Sequence, residues 1–405
     1  MISLKFLNAV NAMPKTPKRI ISLKIQGYRP FSDFMADFGP LEIIVGANAS
    51  GKSSLFEFLK FLRDAVWQDI PPEIISGSTG QQIFHNPGPE RLEWNLEIDL
   101  LEKRSLDYHG QVLGPIGRAH VAFERVRSTK PLPGRQKPML FMNVKARQGK
   151  VYQLNHRKII EQKIALRKPT QLALSTLTNP DFLTLYNLRE YINRWRFYSS
   201  FNIDNQAIRK AVPTAQEPLL YENGSNLSSV LFYLITEHRD AFDALQTHLR
   251  SAVPGFRRLS VKARGGPGEV IAFWEEEGVE GELSLADLSD GVLRFLCWAT
   301  ICVQPNPPTL ICIDEPDQGV HPRTLPILAG LFIEASQRTQ VLLATHASYF
   351  LTQFNIEEIA VMKKIGGESK LFKPHDSQSL RANLEEFGVT EIEAMHRSDE
   401  LEILA

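Results

Sequence analysis

The sequence predicts an α/β fold: a central, mostly parallel sheet, an attached antiparallel β-subdomain and a compact helical arm. Three observations carry the prediction. An apolar strand, a glycine-rich loop and an amphipathic helix follow one another between Leu41 and Val66. Two further short apolar runs, Pro308 to Ile313 and Gln340 to Ala344, lead into Asp314-Glu315 and Thr345-His346. Between Arg91 and Tyr152 the pattern changes to short β-like runs separated by Gly/Pro clusters, the signature of an antiparallel sheet.

The first stretch organises the rest. Leu41 to Val45 is short enough for a buried strand, and Leu55, Leu59, Leu62 and Val66 share one helix face. Between them stands Gly46-Ala47-Asn48-Ala49-Ser50-Gly51-Lys52-Ser53-Ser54. A bare glycine turn also fits this pattern, but the strand, loop, helix context makes it a phosphate cradle. The glycines let successive N–H groups point inward, and the helix start adds its positive dipole end. Lys52 is then placed to neutralise the β- and γ-phosphates, and the Ser53 hydroxyl to ligate Mg²⁺.

Bulk properties narrow the field. Lys+Arg and Asp+Glu balance at 46 each, so net charge argues neither for nor against nucleic acid. Cys297, Cys302 and Cys312 lie in apolar segments without metal-ligand spacing, which suits a reducing cytoplasm. No apolar run reaches membrane-spanning length, and Lys5, Asn8 and Asn11 interrupt the N-terminal hydrophobics, making a poor signal peptide.

Taken in order, residues 1–17 read as an extension. Arg19 to Gln26 reads as a strand, and Tyr28 to Phe38 as an aromatic-rich turn. Tyr28 or Arg29 could flank an adenine there, but packing is the stronger expectation. Strands are expected at Leu92 to Leu101, His120 to Val126, Leu140 to Val144 and Val151 to Leu154. From Arg135 to Lys168 there are ten Lys/Arg and a single acid, Glu161, either a solvated positive face or a surface that tracks phosphates. Leu183 to Phe201 and Leu227 to Arg250 read as helices, the second capped by Ser225 or Asn226, and a hairpin spans Phe256 to Trp274.

The last third holds three motifs. Leu288-Ser289-Asp290-Gly291 opens an apolar helix, so Ser289 is either an ordinary N-cap or, with Asp290 and Gly291, equipment for a γ-phosphate. Asp314 leaves a buried strand where it can hold Mg²⁺, and Glu315 can polarise an attacking water. His346, at the tip of the next strand, can reach a γ-phosphate. Pro322 starts another helix, Glu358 to Met362 is expected to end the sheet, and the tail from Asn383 is acidic.

These stretches, "GANASGKSS", "LSDGVLRFL", "DEPDQGVHP" and "ATHASYFL", together resemble the ABC-type ATPases of the SMC/RecF group. They look closest to the small AAA-labelled ATPases related to the ATPase half of OLD nucleases. The resemblance covers Arg19 to Arg63 and Gly224 to about Lys363, and it implies a bilobed ABC/SMC-head-like P-loop ATPase. By it, Gly46 to Ser54 is the Walker A loop, Asp314 the Walker B acid and Glu315 the catalytic carboxylate. Leu288 to Gly291 matches the signature motif, Gln318 to His321 the D-loop and His346 the switch histidine. Three departures stand out. Ala49 occupies a position where many members have glycine; Asp290 and Val292 replace the Gly and Gln of transporter signatures; and no Q-loop glutamine is evident, with Gln81, Gln82 and Gln171 as candidates.

The expected organisation is an extension (1–17), lobe I with Walker A and the antiparallel sheet (18–175), and a helical subdomain (176–255). Lobe II with the other motifs (256–375) and an acidic tail (376–405) follow. The resemblance implies ATP and Mg²⁺ as ligands and a head-to-tail homodimer in which Ser289 acts on the partner's ATP. It also implies DNA-linked work, repair or phage defence, with a separate effector such as a nuclease, since 59 residues after His346 are too few for a nuclease domain. The competing expectation is a regulatory switch that recruits or restrains a protein partner without touching DNA. A P-loop kinase or GTPase is disfavoured by the signature-like helix start and His346.

Overall fold

The computed structural model describes residues 18–70, 83–101, 104–115, 118–155, 158–199, 201 and 206–376. The expected extension, Gln81, Gln82 and the acidic tail from Asn383 lie outside them. Three sheets organise the described chain.

The central sheet has six strands: β3 (Leu41–Val45), β10 (Trp195–Tyr198), β15 (Leu310–Asp314), β16 (Gln340–Ala344), β17 (Ile359–Ile365) and β18 (Glu368–Phe372). Their order is β10-β15-β16-β3-β17-β18, parallel throughout except for β17 against β18. Side chains of a strand alternate between faces, so a sheet covered on both sides needs apolar residues at every position. Ile43, Val45, Ile311, Ile313, Val341 and Leu343 face one core. Ile44, Leu310, Cys312, Leu342 and Ala344 face the other.

An eight-stranded antiparallel sheet runs in the order β2-β1-β4-β5-β6-β7-β8-β9. Its strands are β1 (Ile20–Tyr28), β2 (Phe31–Asp37), β4 (Arg91–Leu101), β5 (Arg104–Leu113), β6 (His120–Pro131), β7 (Pro138–Lys145), β8 (Gln148–Asn155) and β9 (Lys158–Ala165). It shares its core with the helices α1 (Lys52–Trp67) and α2 (Leu183–Asn193). A small sheet of β11 (Val212–Pro213), β12 (Phe256–Ala263), β13 (Glu269–Glu276) and β14 (Leu283–Ser284) lies with the opposite core. The helices α3 (Leu227–Glu237), α4 (Arg239–Ala252), α5 (Asp290–Val303) and α6 (Leu325–Ser336), with the short α7 (Ser348–Leu351), belong to that core.

Several expectations change. The stretch Tyr28 to Phe38 is not a turn but holds β2: the reversal is confined to Gly27 to Pro30, with φ of 77° at Gly27 and 44° at Arg29. Phe31, Phe34 and Ala36 then point inward against β1. The helix expected over 183–201 stops at Asn193, and Trp195 to Tyr198 becomes the edge strand β10, because pairing with β15 outweighs local helical periodicity. The helix expected over 227–250 breaks at His238 (φ −137°) into α3 and α4. Asn226 stands at the N-cap of α3 but does not cap it; its side chain instead donates to Leu219 O (2.9 Å) and accepts from Tyr221 N (2.8 Å). The helices of 176–255 are not gathered in an arm: α2 serves one core, α3 and α4 the other, and β10 joins the central sheet. Strand β17 does not end that sheet, since β18 pairs beyond it.

One buried charge pair ties the two ends of the fold together. Glu42 is fully buried on β3, where its carboxylate accepts from Gly39 N (3.0 Å) and from Lys373 Nζ (2.7 and 2.6 Å). Burial raises the pKa of Glu42, and the Lys373 ammonium opposes that rise. Lys373→Ala is expected to cost about 3–5 kcal/mol in denaturant unfolding, because it leaves an unpaired buried carboxylate. Adding Glu42→Gln to that variant should recover much of the loss; an unchanged midpoint in the single variant would contradict the assignment.

Candidate nucleotide site

The phosphate loop sits at the carboxyl end of β3, where an open parallel sheet gathers its binding loops. Strand register decides what meets it: Asp314 pairs with Ala344, and Ala344 with Ile44, two residues before Gly46. The loop backbone requires its glycines. At Gly46 (φ 146°) a Cβ would lie 2.1 Å from Met362 O, and at Gly51 (φ 114°) 2.6 Å from Ser369 Oγ. Ala49 takes the left-handed conformation at φ 63°, a backbone that favours glycine, at a cost of order 1–3 kcal/mol.

Lys52 is buried and folds back along the loop, donating to Gly46 O (2.7 Å) and Ala47 O (3.1 Å). Ser53 Oγ donates to Asp314 Oδ2 at 2.9 Å, joining residues 261 apart in sequence. Their hydroxyl and carboxylate oxygens are hard donors within reach of one small ion, the arrangement Mg²⁺ takes when phosphates and water complete its shell. Ser50 Oγ is buried without a hydrogen-bond partner among the described residues, which fits a loop built to receive a ligand's oxygen.

Glu315 is held in the left-handed region at φ 54°, with its N–H donating to Ala344 O at 2.8 Å. That strained turn aims the side chain into the cleft. Burial first, then the neighbouring Asp317 and Asp314 charges, push its carboxyl up to about 7. His346 Nε2 lies 3.5 Å from Glu315 Oε1. Behind them Thr345 Oγ1 donates to Asp317 Oδ1 (2.6 Å) and accepts from Ala347 N (3.0 Å), tying the segment just after Glu315 to the end of β16.

A cleft of about 380 Å³ results, lined by residues 48–54 with Asp314, Glu315, His346 and Pro30. The structure thus brings Lys52, Ser53, Asp314, Glu315 and His346 together. It does not bring Ser289, Asp290 or Gly291: Ser289 and Asp290 face solvent at the start of α5, where Ser289 Oγ accepts from Val292 N (3.4 Å). Neither Tyr28 nor Arg29 lines the cleft. Tyr28 is buried among Phe31, Phe58 and Phe61, with its hydroxyl pushed up to about 12 by burial, and Arg29 pairs with Glu57. The lining residue from that turn is Pro30, which carries no chemical motif to betray it. Gln171 lies beside β9 with Gln162 and Phe182, away from the cleft.

The model of an AAA ATPase domain matches residues 19–213, and that of an "AAA domain, putative AbiEii toxin, Type IV TA system" matches 156–352. The Smc head of Pyrococcus furiosus with an extended coiled coil, bound to the C-terminal domain of ScpA, superposes with a TM-score of 0.54. It is 12% identical, over 91% of this chain and 100% of that one. An SmcHead bound to the C-winged helix domain of ScpA gives 0.51 at 12% identity, over 87% and 96%. Between them, models of AAA-type ATPase domains match this chain from residue 19 to residue 352, and its fold is that of Smc heads. A search of curated proteins returns no match. Among the described residues of this ATPase no helix is long and apolar enough to cross a membrane.

The raised Glu315 pKa gives a pH dependence. Below about 7 the side chain holds its proton; in the hydrolysis proposed below, where Glu315 accepts the proton of water, kcat/KM for ATP, which reports the free enzyme, should therefore rise through an ionisation near 7. A profile whose only acidic limb lies in the ordinary carboxylate range would contradict this role.

Proposed function

We propose that this protein binds and hydrolyses ATP as an ATP-dependent head-to-tail homodimer. The observation that carries the reading is the split of the motifs. Asp314, Glu315 and His346 share the cleft with the phosphate loop, whereas Ser289 stands exposed and outside it. A second chain is the source of a signature serine for each cleft.

In this mechanism the backbone N–H groups of 46–54 and the Lys52 ammonium hold the triphosphate. Ser53 and Asp314 would hold Mg²⁺, which would supply charge neutralisation on the phosphates. Glu315 orients water in line with the γ-phosphate and accepts its proton, while His346 contacts the same phosphate. The partner's signature motif, Ser289, Asp290 and Gly291, closes the site and excludes bulk water. Gly46, Ala47, Asn48, Ala49, Ser50, Gly51 and Ser54 complete the cradle. The lobes expected at 18–175 and 256–375 are best taken as halves of one unit, since β3 lies between β16 and β17.

Glu315→Gln should bind ATP, hydrolyse it on the order of 10²–10⁴-fold more slowly and accumulate as a dimer in size-exclusion chromatography with light scattering. Normal turnover by this variant would remove Glu315 from the mechanism.

The ATP cycle is proposed to serve a DNA-linked process, repair or defence against phage, with a separate effector protein. Support comes from the basic stretch: Lys137, Lys145, Arg147, Lys158, Lys163, Arg167 and Lys168 are all exposed along the β7 to β9 end of the large sheet. The rival reading, a switch that works on a protein partner alone, draws on the two Smc heads bound to ScpA domains. Duplex DNA binding should weaken steeply with salt. Lys158→Glu, Lys163→Glu and Arg167→Glu together should lower the log-log salt slope by roughly one per lost phosphate contact. Unaltered binding in the triple variant would favour the protein-only switch.

A further inference from the structure

Arg209 stands outside the cleft, in the single turn Gln206–Arg209 between β10 and α3, yet its side chain reaches the signature motif. Its Nη1 lies 3.0 Å from Leu285 O, 2.9 Å from Ala286 O and 3.0 Å from Leu288 O. Its Nη2 donates to Asp290 Oδ1 at 2.8 Å. The four acceptors bracket Ser289 on both sides.

Local backbone geometry explains why a cation is needed there. Leu285–Asp287 is one 3₁₀ turn, capped at its start by Ser284 and Asp287. The chain then runs extended through Leu288 (φ −78°, ψ 146°) and Ser289 (φ −64°, ψ 154°) before α5 begins. The carbonyls at the end of the turn therefore have no following helix to donate to them, and at Leu285 and Leu288, where they are partly buried, an unmet carbonyl is costly. A planar guanidinium with several donors can serve these carbonyls and a carboxylate at once, which a lysine ammonium cannot.

The clamp is itself anchored. Ile208 is buried in the core, and β11, just beyond Arg209, pairs with β13. The signature helix is also pressed against the D-loop: a Cβ on Gly291 would lie 2.9 Å from Gly319 O, and one on Gly319 would collide with Arg294. Ser289 thus projects to solvent from a loop whose two flanks are held by one residue from a distant segment.

We infer that Arg209 is the positioning residue of the signature loop. By tying Leu285, Ala286, Leu288 and Asp290 together it holds Ser289 in the orientation that completes the partner protomer's ATP site. The inference rests on the two-chain reading above. Arg209 touches no nucleotide and acts through Ser289.

Complementation between protomers tests it. Arg209→Ala and Arg209→Lys should each bind a fluorescent ATP analogue as the wild type does, because their own clefts are intact, and lose hydrolysis on the order of 10²-fold. Lys52→Ala, with a disabled cleft but an intact signature loop, should be inactive alone. Mixing it with either Arg209 variant pairs a sound cleft with a sound signature loop, so hydrolysis should rise several-fold above that of either variant alone. A Ser289→Arg protein mixed with Lys52→Ala serves as reference. If the Ser289 mixture recovers hydrolysis and the Arg209 mixtures do not, or if the Arg209 variants turn over normally, the assignment of Arg209 is overturned while the two-chain site stands. If the Ser289 mixture also fails, the two-chain reading falls and the role of Arg209 falls with it. Should Arg209→Ala not fold, Arg209→Lys decides the matter, since it keeps a charge beside Asp290 but lacks the fork that reaches the carbonyls.

Discussion

The parallel pairing of β3, β16 and β15 is the constraint on which the rest depends. Because the three strands run the same way and share a register, Asp314, Ala344 and Ile44 come level, and everything after them emerges at one edge. Ser53 can then meet Asp314, and Glu315 can meet His346, although the loop and the acids are some 260 residues apart. A slip of one residue would turn Asp314 toward the opposite face and dismantle the site. The apolar alternation that feeds both cores is therefore also what positions the chemistry.

Strain is concentrated where that chemistry is placed. Ala49 and Glu315 are non-glycine residues at positive φ, one in the phosphate loop and one at the exit of β15. Each is held by its surroundings: Ala49 lies in a turn closed by Ser50 N–H on Ala47 O, and the Glu315 N–H is fixed by Ala344 O while Thr345 holds Asp317 just after it. The same enclosure that enforces the geometry raises the Glu315 pKa, so the carboxylate is poised to take a proton near neutral pH. Ser289, by contrast, is held in a relaxed extended conformation and presented outward, which is the feature the proposed two-chain site draws on.

The site was legible in sequence because its residues are written as contiguous motifs at the ends of strongly apolar strands. Gly46 to Ser54, Asp314-Glu315 and His346 needed only the context of a strand before and a helix or loop after. Elements went astray where local pattern and tertiary pairing disagree: β2 looked like a turn because Phe31 and Phe34 sit among acids, and β10 looked like helix because it continues the periodicity of α2. Pro30 left no trace, since lining a cleft by shape needs no functional group. Arg209 was equally silent, because its acceptors are mostly backbone carbonyls, which have no letter in the sequence.

The sequence by itself determined a P-loop class, through a glycine-rich phosphate loop between an apolar strand and a helix, with an acid pair and a histidine at the ends of two further apolar strands. It also determined the α/β class, through the change from uniformly apolar strands to alternating ones. Only the tertiary structure decided which motifs share a cleft, which turn outward and which distant arginine holds the signature loop. The physical reason is that register and close backbone approach are properties of pairs of segments. Gly46 against Met362 O, Gly291 against Gly319 O and Arg209 against Leu288 O exist only once the chain has folded.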